Sequence, residues 1–233
     1  MQPTKRTARV AAFLYALMGI PAVFSLVYIP RTLIVRGNAA ATANNILASE
    51  MLFRLGIVVE LIAAVGFLLL VMALYRLLRG VNKSHGRLMV ALVLVSVAIM
   101  FVNALNNIAA LTLLRGADFL AVFDKPQRDA LAMFFLGLHR QGIAVNDIFW
   151  GLWLFPFGLL VTRSGFLPRV LGALLIVNCF GWLAVSLTSL LLPSYVNVVS
   201  ATVLPTLLGE LWIWLWLLIK GIRLPPLGAA AAV

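Results

Sequence analysis

The residues of this chain that could do chemistry are ionisable and amide side chains set within long apolar stretches. Carboxylates there can accept protons or hydrogen bonds, an imidazole can act as an acid or a base, and a guanidinium group can attract an anion. These residue types predict binding of a small or lipid-like ligand. The candidate ligand-binding residues are Arg54, Glu60, Asn103, Asn107, His139, Asp147 and Glu210.

These side chains are candidates for function because they lie deep within stretches that are expected to cross the membrane. An ionisable group in the hydrocarbon of a membrane costs at least about 2.5 to 3.5 kcal/mol on insertion scales, so each one is a functional hypothesis. Apart from Glu210, the candidates favour the outer half of their apolar stretches, which predicts one polar cavity opening outward. Arg54 is the expected partner of Glu60 or Asp147. The competing interpretation is that such pairs, and the asparagines at about 0.6 kcal/mol each, only fix helix packing.

Helices that cross a membrane must position these groups. The 233 residues are 64% hydrophobic and 11% charged, whereas a soluble domain is about half apolar and a quarter charged. Each spanning helix needs about 20 apolar residues, so six helices leave no room for a second domain. We therefore predict an all-α polytopic membrane protein, a single domain over 1–233, with spans at about 10–29, 51–75, 88–113, 142–161, 169–191 and 198–219.

Two connecting segments predict further helix on the outer side. Asn38 can cap a helix whose alanines favour propagation into the second span. Pro126 suits the start of an extra outer-side helical segment that precedes the fourth span. A straight helix from Pro126 to Val161 would be about 54 Å long, well beyond the roughly 30 Å hydrocarbon core. A bend near Gly137 or Gly142 is therefore expected.

The distribution of charge predicts the orientation. Six spans place both termini and two loops on one side, and that side carries eleven cations and no acid. The positive-inside rule makes it cytoplasmic, in a bacterial inner membrane, with both termini inside. Anionic lipid headgroups are a sufficient partner for these charges, so the net charge of +11 does not indicate nucleic-acid binding. The eleven are Lys5, Arg6, Arg9, Arg76, Arg79, Lys83, Arg87, Arg163, Arg169, Lys220 and Arg223.

Several kinds of active site are excluded by what the chain contains. Cys179 is the one cysteine, so no intramolecular disulfide or Cys-x-x-Cys redox pair can form. His85 and His139 lie on opposite predicted sides, which excludes a histidine-rich zinc site and paired-histidine haem ligation within one chain. An intramembrane aspartyl dyad would need a second buried aspartate beside Asp147. We expect no metal and no cofactor, and no phosphate-binding or dinucleotide-binding glycine motif is found.

Four motifs carry a family resemblance. They are Gly37-Asn-Ala-Ala-Ala-Thr-Ala-Asn-Asn-Ile-Leu-Ala-Ser-Glu50 leading into Phe53-Arg-Leu-Gly-Ile57, then Arg163-Ser-Gly-Phe-Leu-Pro-Arg169 with Leu171-Gly172, then Leu208-Gly-Glu-Leu211, and finally Lys220-Gly-Ile-Arg223. The motifs occur in this order along nearly the whole chain. On these motifs the chain resembles a bacterial membrane family catalogued as domain of unknown function 4386. The resemblance implies no known reaction. It also implies a departure from the family at Trp153, where members often carry histidine.

Three functions follow, and the residues leave open whether a reaction is catalysed. The first is a non-enzymatic membrane protein that binds or conducts a small or lipid-like ligand in the outward cavity. The second is an intramembrane lipid-modifying enzyme that uses the buried carboxylates with His139. The third is an assembly or stability factor. Six helices are few for a monomeric transporter with inverted repeats, so a transport function would favour a homo-oligomer.

Overall fold

The fold is helical over the part of the chain that the structure, a computed structural model, describes, which is residues 4–222. Six helical stretches there are long and apolar enough to cross a membrane, which confirms the predicted all-α class and the six spans. Arg223, one of the predicted cytoplasmic cations, lies outside the described residues. The six stretches are Lys5–Leu33, Glu50–Leu78, Lys83–Arg115, Lys125–Arg163, Arg169–Leu191 and Pro193–Ile219.

Within these stretches the α-helices are interrupted by short turns of other geometry. A π-helical turn occupies Phe24–Tyr28, and 3-10 turns occupy Asp118–Leu120, Pro193–Tyr195 and Leu204–Leu207. The α-helices in chain order are α1 (Lys5–Val23), α2 (Ile29–Leu33), α3 (Ala39–Ala48), α4 (Glu50–Leu78), α5 (Lys83–Arg115), α6 (Lys125–Leu152), α7 (Leu154–Arg163), α8 (Arg169–Leu191), α9 (Val196–Val203) and α10 (Leu208–Ile219).

The interruption of the fourth span lies at Trp153, between α6 and α7. Proline has no N–H, so Pro156 cannot donate to the carbonyl of Leu152, and its ring crowds that carbonyl. The α-helical hydrogen-bonding pattern is therefore interrupted directly after Leu152. The sequence had suggested a bend near Gly137 or Gly142, but α6 continues through both glycines. The extra segment predicted before the fourth span is the first part of α6 itself.

A proline also accounts for the π-helical turn in the first span. The N–H of Ile29 donates to the carbonyl of Phe24, five residues earlier, instead of to the residue four earlier. Pro30 follows and offers no N–H, so the carbonyl of Leu26 has no donor in the usual α-helical pattern. The wider turn accommodates this loss.

Side-chain caps begin the helices of the connecting segments. Asn38 accepts a hydrogen bond from the N–H of Ala41 at 2.9 Å, which confirms it as the cap of α3. Asp124 accepts from the N–H of Gln127 at 2.8 Å, and the Gln127 side chain accepts from the N–H of Asp124 at 2.9 Å. This reciprocal pair is a capping box, so the start of α6 is fixed by its own sequence.

The described residues pack into two compact units. Of residues 4–222, unit 1 comprises 4–16, Phe67–Ser96 and 147–222, and unit 2 comprises Leu17–Gly66 and Val97–Asn146. The core of unit 1 includes Trp153, whose ring stacks on Phe157 and meets Phe67 edge-on. The core of unit 2 is aliphatic and aromatic, and includes Ile29, Leu33, Ile46, Phe53, Ala110, Leu114, Ala132 and Leu136. The single domain over 1–233 stays a prediction.

Candidate functional site

Unit 2 brings five polar side chains from three helices into one group. Glu60 comes from α4, Asn103, Asn106 and Asn107 come from α5, and His139 comes from α6. We call this group the His139 cluster. Asn103 and Asn107 are four residues apart and so share one helix face. Glu60 and Asn103 are only 5% and 6% exposed, which makes their hydrogen bonding energetically important.

Two reciprocal hydrogen bonds join α5 and α6 at the centre of the cluster. The Asn103 amide donates to the backbone carbonyl of His139 at 2.9 Å, and the His139 ring meets the backbone carbonyl of Asn103 at 3.2 Å. Asn106 donates to the Asn103 side-chain oxygen at 3.1 Å. Gly142 makes the approach feasible, because a Cβ at that position would overlap the Asn103 amide group.

The tautomer of His139 follows from these contacts. A backbone carbonyl can only accept, so Nδ1 of His139 carries the hydrogen that it donates to Asn103. In the neutral ring Nε2 is then an acceptor, which suits the Asn107 amide at 3.3 Å. Glu60 Oε1 lies 3.7 Å from the same nitrogen. A second proton on the ring would therefore form an ion pair with Glu60.

A cavity of about 490 Å³ adjoins the His139 cluster within unit 2. Its lining combines Asn107 and His139 with three arginines, Arg31, Arg36 and Arg140. Among the described residues, none of these guanidinium groups forms an ion pair or a hydrogen bond with another side chain. We call this space the arginine cavity. The rest of its wall is largely apolar and includes Leu26, Ile29, Ile34, Phe53, Met133, Leu136 and Ile143.

Arg54 lies in a different place from the one expected. Its Nε donates to Glu50 Oε1 at 2.7 Å, and Arg115 Nε lies 3.8 Å from the same oxygen. The expectation that Arg54 pairs with Glu60 or Asp147 is therefore wrong. The one-turn separation along α4 makes Glu50 the easier partner, because residues four apart are neighbours on a helix surface. Arg54 lines a second cavity of about 640 Å³, which we call the α4–α5 groove.

Unit 1 holds the partners of Glu210 on α10. Its Oε1 accepts hydrogen bonds from Asn178 at 2.9 Å and from Trp182 at 3.2 Å, both on α8. The Tyr15 hydroxyl on α1 donates to Oε2 at 3.4 Å. Trp214 of α10 donates to the Ala12 carbonyl at 2.9 Å, which ties α1 to α10 beside this site. The carboxyl group thus receives three donors from two other helices.

Glycines allow the helices around Glu210 to approach closely. A Cβ at Gly209 would lie 2.9 Å from the carbonyl oxygen of Leu174 on α8. A Cβ at Gly181 would overlap the hydroxyl of Thr206, which in turn lies 3.5 Å from the Asn178 side-chain oxygen. Small residues at such crossings are typical of helix packing in membranes. Glu210 reaches α8 because these two positions carry no side chain.

Some buried polar atoms have no hydrogen-bond partner among the described residues. They include Oδ1 of Asp147, Oδ1 of Asn146, Oγ of Ser96 and Nδ1 of His85. Asp147 is 6% exposed and Ser96 is fully buried. Asp129, which the sequence reading did not single out, is also buried, and Lys125 binds it at 2.6 Å.

Of the seven candidates, the structure brings together Glu60, Asn103, Asn107 and His139. Glu210 bonds to partners in unit 1, and Arg54 pairs with Glu50. A common cavity for all seven, and a ligand-binding role for each, stay predictions. Sequence reasoning does not identify the arginines of the cavity, because Arg31, Arg36 and Arg140 lie near the ends of the predicted spans. It also does not identify Asn178 as a partner of Glu210, although the spacing of four between Asn178 and Trp182 places both on one helix face.

Comparison with known proteins gives a family and one curated relative. The family model described as "Domain of unknown function (DUF4386)" matches residues 10–221. A protein of Archaeoglobus fulgidus described as "Uncharacterized protein" is 32% identical over 152 residues, which are 65% of this chain and 75% of the relative. No solved structure matches the chain. Because the relative is archaeal, the bacterial origin stays a prediction.

Proposed function

We propose that this chain, which belongs to the family described as domain of unknown function (DUF4386), binds an anionic, lipid-like ligand in the arginine cavity of unit 2. The observation that carries the proposal is the lining of that cavity. Three arginines without carboxylate partners among the described residues share it with the polar side chains of Asn107 and His139 and with apolar side chains. The protein is a polytopic membrane protein, so a ligand can enter from the lipid phase.

The positive charge of the cavity lining favours an anionic ligand. The lining includes Arg31, Arg36 and Arg140 and contains no carboxylate. A guanidinium group presents N–H donors in a planar fork that matches carboxylate and phosphate oxygens. A cationic ligand would be repelled, and a neutral one would leave the three charges without a counter-ion. A phosphate or carboxylate headgroup therefore suits this lining best.

The apolar wall and the volume select a ligand with a hydrocarbon part. Leu26, Ile34 and Phe53 contribute apolar surface to the cavity, together with Met133 and Leu136. A volume of about 490 Å³ falls in the range of small-molecule sites, roughly 300 to 1,000 Å³. An amphiphile with one anionic end could fill this space better than an inorganic ion could.

A second candidate function is supported by the approach of Glu60 to His139. An imidazole whose Nδ1–H is held by a backbone carbonyl and whose Nε2 lies 3.7 Å from a carboxyl oxygen has the arrangement of an oriented acid-base pair. His139 also lines the arginine cavity. The lipid-modifying enzyme would use this pair on a bound anionic lipid. Glu60→Gln should then abolish turnover of the lipid while leaving its binding intact.

The orientation belongs to the same proposal. We place both termini in the cytoplasm of a cell whose cytoplasmic membrane holds the protein, and the arginine cavity toward the outer side. The support is the eleven cations without an acid on the inner side. Membrane lipids are the expected partner of those charges. If the protein conducts its ligand across the membrane, a homo-oligomer is favoured. Reporter fusions at Lys83 and at the C-terminus test this orientation, and an external reporter would contradict it.

The experiment measures binding of two short-chain lipids to the full-length protein in a neutral detergent. The probes are dihexanoyl phosphatidic acid and dihexanoyl phosphatidylcholine, which share their tails and differ in charge. We expect tighter binding of the acid, and about fivefold weaker binding for each of Arg31→Gln, Arg36→Gln and Arg140→Gln. Arg79→Gln is the control, because Arg79 is exposed and lines neither cavity. Equal binding of both probes, or equal losses in the control, would contradict the proposal.

A further inference from the structure

The α4–α5 groove has a polar end and an apolar length. Ile57, Val58 and Leu61 of α4 and Ile108 and Leu111 of α5 line its length over a volume of about 640 Å³. Val58 is 51% exposed and Ile108 is 44% exposed, so the groove opens to the surroundings of unit 2. In a protein that crosses a membrane, such an opening along two spanning helices meets lipid chains. The groove and the arginine cavity have no lining residue in common.

Cations outnumber acids at the polar end. Arg54 and Arg115 line it, and both lie against the single carboxylate of Glu50, at 2.7 and 3.8 Å. Gly116 lines the same end, and the Arg128 guanidinium lies beside it, with Cζ 3.4 Å from where a Cβ of residue 116 would stand. Glu50 neutralises one of these three cations, so the end keeps a net positive charge.

The groove has a cationic end and an apolar length, as the anionic headgroup and the acyl chain of an acidic lipid require. Arg54 lies one turn from Ile57 and Val58 on α4, and Arg115 lies one turn from Leu111 on α5, so the cations and the apolar side chains follow the same helix faces. Guanidinium groups present N–H donors that match the oxygens of a lipid phosphate. A free anion would satisfy the cations but would leave the apolar length unoccupied.

We infer that the α4–α5 groove is a second binding site, which holds one acidic phospholipid of the surrounding bilayer. The phosphate lies at Arg54 and Arg115, and an acyl chain lies along Ile57, Leu61 and Leu111. Glu50 orients both arginines and limits the charge that the headgroup meets. The site is independent of the arginine cavity, so either proposal can fail without the other.

The test counts lipids retained by the full-length protein. The protein is extracted from vesicles that contain equal amounts of palmitoyl-oleoyl phosphatidylglycerol and palmitoyl-oleoyl phosphatidylcholine, and native mass spectrometry gives the ratio of the two bound lipids. We expect phosphatidylglycerol to be enriched. Arg54→Gln and Arg115→Gln should each lower the enrichment about fivefold, whereas Glu50→Gln should raise it, because it frees both arginines.

The test is specific because variants of the ion-paired residues Glu50, Arg54 and Arg115 should shift the enrichment in opposite directions. General damage to the fold would lower the enrichment in every variant of these residues, including Glu50→Gln. Val58→Trp, which fills the groove without changing charge, should lower retention of lipid. The control Arg79→Gln removes one dispersed cytoplasmic charge outside both cavities, so it should lower the enrichment far less than Arg54→Gln does. The inference is overturned if Glu50→Gln and Arg54→Gln shift the enrichment in the same direction, or if only Arg31→Gln among the arginine variants reduces it.

Discussion

Replacing Gly142 by alanine should break the contact between α5 and α6 in the His139 cluster. The added Cβ would overlap the Asn103 amide group and lie 2.9 Å from its nitrogen. Asn103 would have to rotate away, and its hydrogen bond to the His139 carbonyl would be lost. The variant therefore tests the reciprocal hydrogen bonding on which the orientation of His139 depends.

Three free-energy contributions set the size of the effect. Loss of a hydrogen bond at a side chain only 6% exposed costs about 1 to 3 kcal/mol. Crowding in a packed interior costs about 1 to 3 kcal/mol more. Alanine recovers about 1 kcal/mol of helix propensity relative to glycine. We expect Gly142→Ala to lower the free energy of unfolding by about 3 kcal/mol.

The matched control is Gly137→Ala, five residues earlier in α6. A Cβ at Gly137 would meet no atom within 4 Å, so alanine there should stabilise the protein by up to about 1 kcal/mol. The assay is unfolding of the purified protein by sodium dodecyl sulfate in mixed micelles, followed by circular dichroism. The two glycine variants should therefore move the midpoint in opposite directions.

A double-mutant cycle isolates the contact itself. In an Asn103→Ala background there is no amide for the new Cβ to displace, so Gly142→Ala should become neutral or stabilising. The coupling between positions 103 and 142 should be about 3 kcal/mol. Equal destabilisation by Gly142→Ala in both backgrounds, or by Gly137→Ala as well, would refute the reasoning.

Three further variants test individual hydrogen bonds by the same unfolding assay. Glu210→Gln should cost less than about 1 kcal/mol, because its amide oxygen can still accept both α8 donors, whereas Glu210→Leu should cost at least about 2 kcal/mol by leaving them unpaired. An equal cost for the two would contradict this. Thr42→Val should cost about 1 to 3 kcal/mol, since buried Thr42 both donates to and accepts from the backbone of Val35, and the exposed Thr32→Val should cost almost nothing. Ser96→Ala should leave stability unchanged or raise it, because the buried hydroxyl has no partner among the described residues; a clear loss would indicate a hidden one.

Much of the scaffold could be predicted from local sequence. The six spans follow from length and composition, and Asn38 could be assigned as a cap because the following alanines favour helix and the cap needs only a local side chain. The position of the break in the fourth span could also have been derived. Pro156 acts on the residue four before it, whereas the glycines chosen instead merely tolerate a bend.

The candidate site was less predictable because it depends on which helix faces meet. The stripe that contains Asn103 and Asn107 was visible in the sequence, but its partner across α6 depends on Gly142, whose role as a space for the Asn103 amide requires the packed structure. Arg54 was assigned a distant partner although Glu50 stood one turn away. Local pairing wins there because a partner on the same helix needs no tertiary contact.

The π-helical turn at Phe24–Tyr28 has a consequence for how the arginine cavity tolerates insertion and deletion. Such a turn holds one residue more than the corresponding α-helical turn, and each residue of an α-helix advances the phase by about 100°. Deleting one residue between Phe24 and Tyr28 would therefore restore a regular α-helix and leave Arg31 on nearly the same helix face, toward the cavity. The same deletion in a stretch that is already regular α-helix would rotate every later residue by about 100°.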